Sequence, residues 1–190
     1  MHYVAYHTRE QPIILVPVSV MTSDVRKKVV LDLLNSKHIK ILKGNWSGLA
    51  TLSGNHSCGN GVNSCPQSSL KLKCKVVTQL AQHYHLLVIM SGKYDLLTDG
   101  TEIFKVNGGN DLMTRITGTR CMLGALLTAF SGVIPPSKLL IACLYALRTW
   151  KLTAQKAATP LLGKMHARLF DVLSTLQSSD LKENNYKILS

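Results

Sequence analysis

The sequence predicts an α/β fold, with a mostly parallel central sheet and helices on both faces, in a single domain over residues 1–190. Two features of the chain lead to this prediction. Short β-rich runs such as "PIILVPV" (12–18) and "LLVIM" (86–90) lack polar alternation, which is typical of strands covered on both faces. Stretches with helical spacing separate these runs, and a regular alternation of strands and helices favours parallel strands.

The first half of the chain supplies three strands, one of them "LLVIM", and two helices. "PIILVPV" is predicted to be a central strand, and Ser23 is the expected N-cap of a helix with apolar residues at i, i+4 spacing. "IKIL" (39–42) is the second strand and continues into a glycine-bearing loop, "KGN" (43–45). A polar segment over 53–69 indicates a surface loop, and helical spacing resumes over 70–84. The apolar residues of the first helix are Val25, Val29, Val30, Leu33 and Leu34.

The second half of the chain begins with a hairpin. Asp99 and Gly100 lie between two strand-like runs, and an Asp-Gly pair favours a tight turn because both residues tolerate positive φ. After it we expect a helix to about Ser131, a second helix capped by Ser137, and a third helix over 164–176.

Two apolar runs could be mistaken for membrane helices. They cover 121–134 and 139–147, are separated by Pro135 and Pro136, and are each shorter than the roughly 20 residues that a membrane helix needs. The first residues, "MHYVAYHTRE", contain no apolar segment of a secretory signal. We therefore expect buried helices and no contact with a membrane.

Charge and cysteine content narrow the class of partner. The chain has 22 Lys and Arg against 10 Asp and Glu, a net charge of +12, which favours polyanions. Because no aromatic residues interleave with the scattered lysines, a nucleic-acid-binding module would rest on charge alone, and solvated helix faces are the simpler explanation.

The cysteines form no C-x-x-C pair, so neither a zinc site nor a disulfide framework is supported, and we expect free thiols in a reducing cytoplasm. The five cysteines are Cys58, Cys65, Cys74, Cys121 and Cys143.

Three segments are candidates for ligand binding. Ligands of open parallel sheets bind outside the carboxyl ends of the strands, where we place "KGN", "SGK" (91–93) and "TGTRC" (117–121). A glycine turn that opens a helix presents unpaired amides and the positive end of the helix dipole, which suits a phosphate. A plain strand-to-helix turn has the same sequence features.

The order of these motifs resembles one enzyme family. "PIILVPVSV", "ILKGNWSGLATLSG", "GNGVNS", "VIMSGKYDLLTDG" and "TGTRCMLGALLTAF" resemble the hydroxyethylthiazole kinases, from about Pro12 to Leu176. The resemblance implies a ribokinase-like three-layer sandwich. It also implies transfer of the ATP γ-phosphoryl group to 4-methyl-5-(2-hydroxyethyl)thiazole with Mg²⁺, in thiamine salvage, by a homo-oligomer that is a trimer in the family.

The resemblance assigns roles to the residues of "TGTRC". Gly118 and Thr119 match the family's anion-hole glycine and threonine. Cys121 matches a cysteine beside the substrate hydroxyl, where related kinases carry an aspartate base. A free cysteine at this position could equally be a small apolar residue of the helix, although a helix N-terminus also stabilises a thiolate.

Other residues match the family's nucleotide-binding positions. Ser91 matches a Thr or Ser that contacts the nucleotide, and Lys43 and Asn45 match the loop after the second strand. Asn60 stands where the family has an arginine that contacts ATP, and Asn63 replaces a neighbouring aspartate.

Two departures affect the magnesium site that the resemblance implies. Val16 replaces the carboxylate that helps to hold the metal, and Gly48 replaces the glutamate after "KGN". Phosphoryl transfer depends on charge neutralisation at the transferring group, so we expect weak or lost activity. We also expect an incomplete domain that lacks the family's first strands and much of the thiazole pocket.

Arg120 replaces the second glycine of the family's "GTGC". An arginine there is expected to obstruct the phosphate or to strain the backbone, at roughly 1–3 kcal/mol for a rare conformation. A second interpretation gives its guanidinium the charge that magnesium would supply. The chain is therefore either a kinase of weak or lost activity, or a non-catalytic remnant that binds nucleotide or polyanion through Lys43, Gly118 and Thr119.

Overall fold

A computed structural model describes residues 12–54, 68–182 and 185–189. The surface loop predicted over 53–69 falls mostly outside these ranges, and so does Asn60. The chain divides into two compact units. The N-terminal unit comprises Met1–Gly92 and Leu96–Ile103, and the C-terminal unit comprises Lys93–Asp95 and Phe104–Leu189.

The N-terminal unit is built on a mixed sheet. Strands β1, β2 and β3 are parallel neighbours, and β4 runs antiparallel to β3, which confirms the α/β class and the mostly parallel pairing. The strands of this sheet are β1 (Ile13–Leu15), β2 (Ile39–Asn45), β3 (Leu87–Ser91) and β4 (Asp95–Thr98). The helices of the unit are α1 (Asp24–Asn35), α2 (Trp46–Leu52) and α3 (Leu70–Tyr84).

The prediction of a central first strand is wrong. Strand β1 has three residues, pairs with β2 alone in the described part of the chain, and keeps Ile13 and Ile14 half-buried. An apolar run indicates that its side chains are at least partly buried. Such burial is also possible in a strand that has a neighbouring strand on one side only. Only Leu15 of β1 joins the core.

Helix α1 confirms its predicted start. The Ser23 hydroxyl accepts a hydrogen bond from the Arg26 amide at 3.4 Å, which satisfies one of the unpaired donors at the helix N-terminus. Val30, Leu33 and Leu34 are buried, but Val25 in the first turn is 74% exposed, so the buried stripe is shorter than the sequence pattern.

The predicted turn at Asp99 and Gly100 joins β4 to β5 (Ile103–Val106). Gly100 adopts φ 96°, and its amide donates to the Thr98 hydroxyl at 2.9 Å. Asp99 does not adopt a positive φ, although this residue type tolerates one. Its carboxylate instead accepts hydrogen bonds from the amides of Thr101 and Glu102, which fixes the turn through the side chain.

The described part of the C-terminal unit contains three α-helices and two strands. Besides β5 it comprises α4 (Thr119–Gly132), α5 (Leu139–Lys156), α6 (Leu162–Thr175) and β6 (Tyr186–Leu189). Its core side chains include Leu123, Leu127, Cys143, Leu147, Met165 and Leu169. The two apolar runs thus form α4 and α5, as predicted, and no helix in the described residues is long and apolar enough to cross a membrane.

Ser137 does not cap the second of these helices. It lies inside a 3-10 turn over Pro136–Lys138, and α5 begins at Leu139 without a side-chain cap. The paired prolines fix a backbone bend that continues directly into the helix, so no separate capping residue is needed. Helix α6 confirms the third predicted helix to within two residues at its start.

Candidate functional site

The carboxyl ends of β2 and β3 lie side by side in the N-terminal unit. In the parallel register Gly44 is opposite Met90 and Asn45 is opposite Ser91. The Ser91 hydroxyl donates to the Gly44 carbonyl oxygen at 3.4 Å. Two of the residues matched to nucleotide-binding positions are therefore neighbours at one edge of the sheet.

No loop separates β2 from α2, so the predicted "KGN" loop is wrong. The strand ends at Asn45 and the helix begins at Trp46. The Asn45 side-chain oxygen accepts the Gly48 amide at 3.0 Å, and Asn45 is thereby the N-cap of α2. A Cβ on Gly48 would lie 3.0 Å from that oxygen, so a glutamate there would crowd the cap.

Lys43 is one of the most deeply buried side chains of the protein. It is 1% exposed, on the strand that carries Asn45. The indole of Trp46, directly after the cap, is 9% exposed, and its Nε1 has no hydrogen-bond partner in the described part of the chain. The Lys43 side chain and the Trp46 indole are thus packed inside the N-terminal unit.

The second group of predicted residues opens α4 in the C-terminal unit. We call Gly118–Cys121 the Gly118 turn. Gly118 is the N-cap residue and adopts φ 94°, and a Cβ added to it would have no described atom within 4 Å. No side chain among the described residues caps this 14-residue helix. The amides of its first turn are therefore not satisfied by a capping side chain.

Thr119 fixes the start of α4. Its hydroxyl lies 3.1 Å from the carbonyl oxygens of both Met113 and Ile116, to which it can donate, and the residue is buried. These carbonyls belong to the segment before the helix, which includes a 3-10 turn over Asp111–Arg115. In the chain, this turn separates "TGTRC" from the preceding strand β5, so the segment is not a direct strand-to-helix turn.

Arg120 is not strained. It lies in the first turn of α4 with helical geometry, and the positive φ falls on Gly118 instead. The strain interpretation is therefore wrong, because only one residue must leave the helical region to begin the helix. The side chains of Arg120 and Cys121 are both exposed.

A buried ion pair in the C-terminal unit was not predicted from the sequence. Lys151 Nζ of α5 lies 3.0 Å from Asp95 Oδ1, with side chains 7% and 2% exposed. A Cβ on Gly109, at φ 89°, would lie 3.1 Å from the Lys151 side chain. The one indication of this ion pair in the sequence is that Lys151 stands among the apolar residues of α5. Its partner Asp95 is distant in sequence, so the pair leaves no local pattern.

The residues present do not fit the magnesium site that the family resemblance implies. Val16 is half-buried and has no ligating atom, and Gly48 is part of α2. Within the described ranges no group of three or more His, Cys, Asp or Glu residues could hold a metal ion.

Comparison with known sequences decides the family. The model of the "Hydroxyethylthiazole kinase family" matches residues 3–179. The chain belongs to this family. It is 32% identical over 174 residues to a hydroxyethylthiazole kinase of Pyrococcus horikoshii, which covers 90% of this chain and 64% of the relative. The chain thus spans less than two thirds of the length of that curated relative.

Solved structures agree on the fold. The hydroxyethylthiazole kinase structure from Pyrococcus horikoshii superposes with a TM-score of 0.79 at 27% identity, covering 94% of this chain and 66% of that one. The pyridoxal kinase of Staphylococcus aureus in complex with AMP-PCP gives a TM-score of 0.62 at 18% identity, covering 80% and 56%. The fold is ribokinase-like.

Proposed function

We propose that the Gly118 turn binds a phosphate group of ATP. The observation that carries this proposal is the N-terminus of α4, which is opened by a glycine at φ 94° and has no side-chain cap among the described residues. First-turn amides and the helix dipole favour an anion at this position. The open space beside Gly118 would let a phosphate approach the backbone closely.

The phosphate would belong to the family's reaction. We propose ATP-dependent phosphorylation of hydroxyethylthiazole, in thiamine salvage in the cytoplasm, by a homo-oligomer. Cys121 is exposed three residues after Gly118, which leaves its thiol accessible to a substrate hydroxyl. Because Val16 and Gly48 replace the metal-binding carboxylates of the family, the proposed activity is weak or lost.

A second candidate function is non-catalytic binding of nucleotide or polyanion. It is favoured by Arg120, whose exposed side chain adds a fixed positive charge to the first turn of α4. The net charge of +12 acts in the same direction. Neither feature requires a magnesium site.

A product assay separates the two functions. Purified protein is incubated with Mg-ATP and hydroxyethylthiazole, and the phosphate ester is measured by mass spectrometry. Product that disappears in Cys121→Ala supports the kinase. Binding of ATP without any product supports the remnant. Cys74→Ala is the matched control, because Cys74 is a half-buried thiol of α3 in the N-terminal unit.

A further inference from the structure

The end of the chain is attached to the C-terminal unit without core side chains. Leu169 is the last buried apolar residue in the described part of the chain. The residues that follow α6 form a 3-10 turn over Ser178–Lys182 and the strand β6, whose Lys187 and Ile188 are exposed. We call residues 177–182 and 185–189 the C-terminal strap.

Arg148 of α5 holds the strap through hydrogen bonds and ring contacts. It is 5% exposed, and its Nε donates to Asn185 Oδ1 at 3.1 Å while an Nη donates to the Leu181 carbonyl oxygen. Its guanidinium carbon lies 5.2 Å from the ring centroid of Tyr186 and 5.3 Å from that of Tyr145. Buried hydrogen bonds to a charged group are stronger than those between neutral groups.

Asn185 connects the strap to the segment after β5. The Asn107 amide donates to the Asn185 carbonyl oxygen at 2.8 Å, and Asn185 Nδ2 donates back to the Asn107 carbonyl oxygen at 3.4 Å. The ring centroids of Phe104 and Tyr186 are 6.0 Å apart. The strap thus protects the end of β5 and the first residue beyond it.

Strand β6 is also a hydrogen-bonded neighbour of β5 in the sheet. A further side-chain attachment is an ion pair at the surface. Lys156 Nζ donates to Asp180 Oδ1, and the Gln177 amide donates to Asp180 Oδ2. The hydrogen bond from Lys156, together with that from the Gln177 amide, lowers the pKa of Asp180. Surface ion pairs of this kind contribute little to stability. Arg148 is therefore the most deeply buried side chain among those that hold the strap by these contacts.

Asn107 also begins the connection that leads toward the Gly118 turn. The next two residues, Gly108 and Gly109, adopt φ 101° and 89°. A Cβ on Gly108 would lie 3.2 Å from the Gln155 side chain, so the segment rests closely on α5. A shift in the position of Asn107 therefore also shifts Gly108 and Gly109, which have little free space beside α5.

We propose that the C-terminal strap is a releasable element latched by Arg148. On release, the edge of β5 is uncovered and the Asn107–Asn110 segment loses its hydrogen bonds to Asn185, while the helical core stays folded. Segments with few buried apolar contacts open at lower free energy than the core, so the strap opens before α4 and α5. This proposal does not depend on the proposed kinase function.

Hydrogen exchange measured by NMR on the full chain tests the latch. In Arg148→Met we expect amide exchange at Asn107 and across β5 to accelerate at least tenfold, with Leu123 and Leu127 unchanged. Arg168→Met is the matched control, because Arg168 is exposed and its Nη2 donates only to the Lys156 carbonyl oxygen among the described contacts.

A second variant keeps the test decisive if Arg148→Met fails to fold. Asn185→Ala removes the two side-chain hydrogen bonds of Asn185, to Arg148 and to Asn107, without altering α5, and it should give the same local acceleration. Unchanged exchange at Asn107 in both variants would overturn the proposal. Equal acceleration at Asn107 and Leu127 would also overturn it, because the strap would then open only with the whole unit.

Discussion

The two groups of predicted site residues differ in how their polar groups are used. At the ends of β2 and β3, Asn45 caps its own helix, Lys43 is buried, and the Ser91 hydroxyl bonds to a backbone carbonyl. At the Gly118 turn, no described side chain caps the helix, and Arg120 is exposed. In the first region the Asn45 and Ser91 side chains bond to the protein's own backbone, whereas the helix N-terminus of the second region has no side-chain cap among the described residues.

Because of this difference, we expect substitutions in the two regions to change different quantities. Substitutions at Asn45 should act mainly on the free energy of unfolding, because its oxygen completes a helix terminus. Substitutions in the Gly118 turn should act mainly on affinity for phosphate. Variants at Asn45, Arg120 and Gly118 test that separation, and variants at Lys151 and Cys143 show how strongly buried polar groups outside both regions act on stability.

Breaking the Asp95–Lys151 pair should have the largest effect on stability. Lys151→Met leaves the Asp95 carboxylate buried without its cation, which should lower the free energy of unfolding by about 3–5 kcal/mol. Urea denaturation measures the change. The double variant Asp95→Asn/Lys151→Met should recover much of the loss, and Lys138→Met, at an exposed position, should change little. A loss below about 1 kcal/mol would show that the pair is solvated.

Two cysteines of the C-terminal unit should respond differently to alkylation, and the buried one should make the stability depend on pH. Burial raises the pKa of the Cys143 thiol to about 12. Above its ordinary pKa of 9.0 the unfolded chain loses this proton while the folded chain keeps it. The free energy of unfolding should therefore fall by about 1.4 kcal/mol per pH unit above pH 9.

Denaturation between pH 8 and pH 10.5 checks the size of this slope. Cys143→Ala should remove the contribution of this thiol to the slope. The contribution of other groups that titrate between pH 8 and pH 10.5 should remain. In the folded protein at neutral pH, iodoacetamide should modify the exposed Cys121 and leave Cys143 unmodified. Equal modification of both thiols would contradict the burial of Cys143.

Asn45→Ala should destabilise the protein by about 1–2 kcal/mol, because the Gly48 amide loses its acceptor. Its effect on ATP affinity should be smaller than twofold if the polar groups of this region serve the fold. Thermal denaturation and calorimetric titration with ATP measure the two quantities. A large loss of affinity with unchanged stability would reverse the assignment of the two regions.

Arg120→Ala should have the smallest effect on stability, within about 0.5 kcal/mol, because the residue is exposed in a regular helical turn. The affinity for ATP should fall severalfold, with a weaker dependence on salt, because one cation is removed from the turn. Arg115→Ala is the matched control, an exposed arginine of the preceding 3-10 turn. An equal loss in both variants would indicate a general charge effect.

Much of the fold was readable from the sequence. Ser23, the helical spacing before Tyr84 and the apolar runs of α4 and α5 act through neighbours within a few residues, so local patterns identify them. The edge position of β1 was not predictable, because an apolar run does not report how many strands flank it. Ser137 and Asn45 were misjudged because capping depends on the particular residue at which each helix begins.

The candidate site was predictable only in part. Gly118 was identified as the residue that opens a helix, but the strain was assigned to Arg120 because a sequence does not show which residue takes the positive φ. Arg148 and its partner Asn185 are 37 residues apart, and Lys151 and Asp95 are also distant. Such pairs leave no local pattern, so the buried cations of α5 became visible only in the structure.

Calorimetric titration of Gly118→Ala with ATP tests the central claim most directly. Gly163→Ala is the matched control, because Gly163 also lies in the first turn of a helix, has open space where a Cβ would be added, and has no positive φ. We expect Gly118→Ala to reduce ATP affinity at least tenfold while Gly163→Ala retains it. Equal ATP affinity in the two variants would contradict phosphate binding at the Gly118 turn.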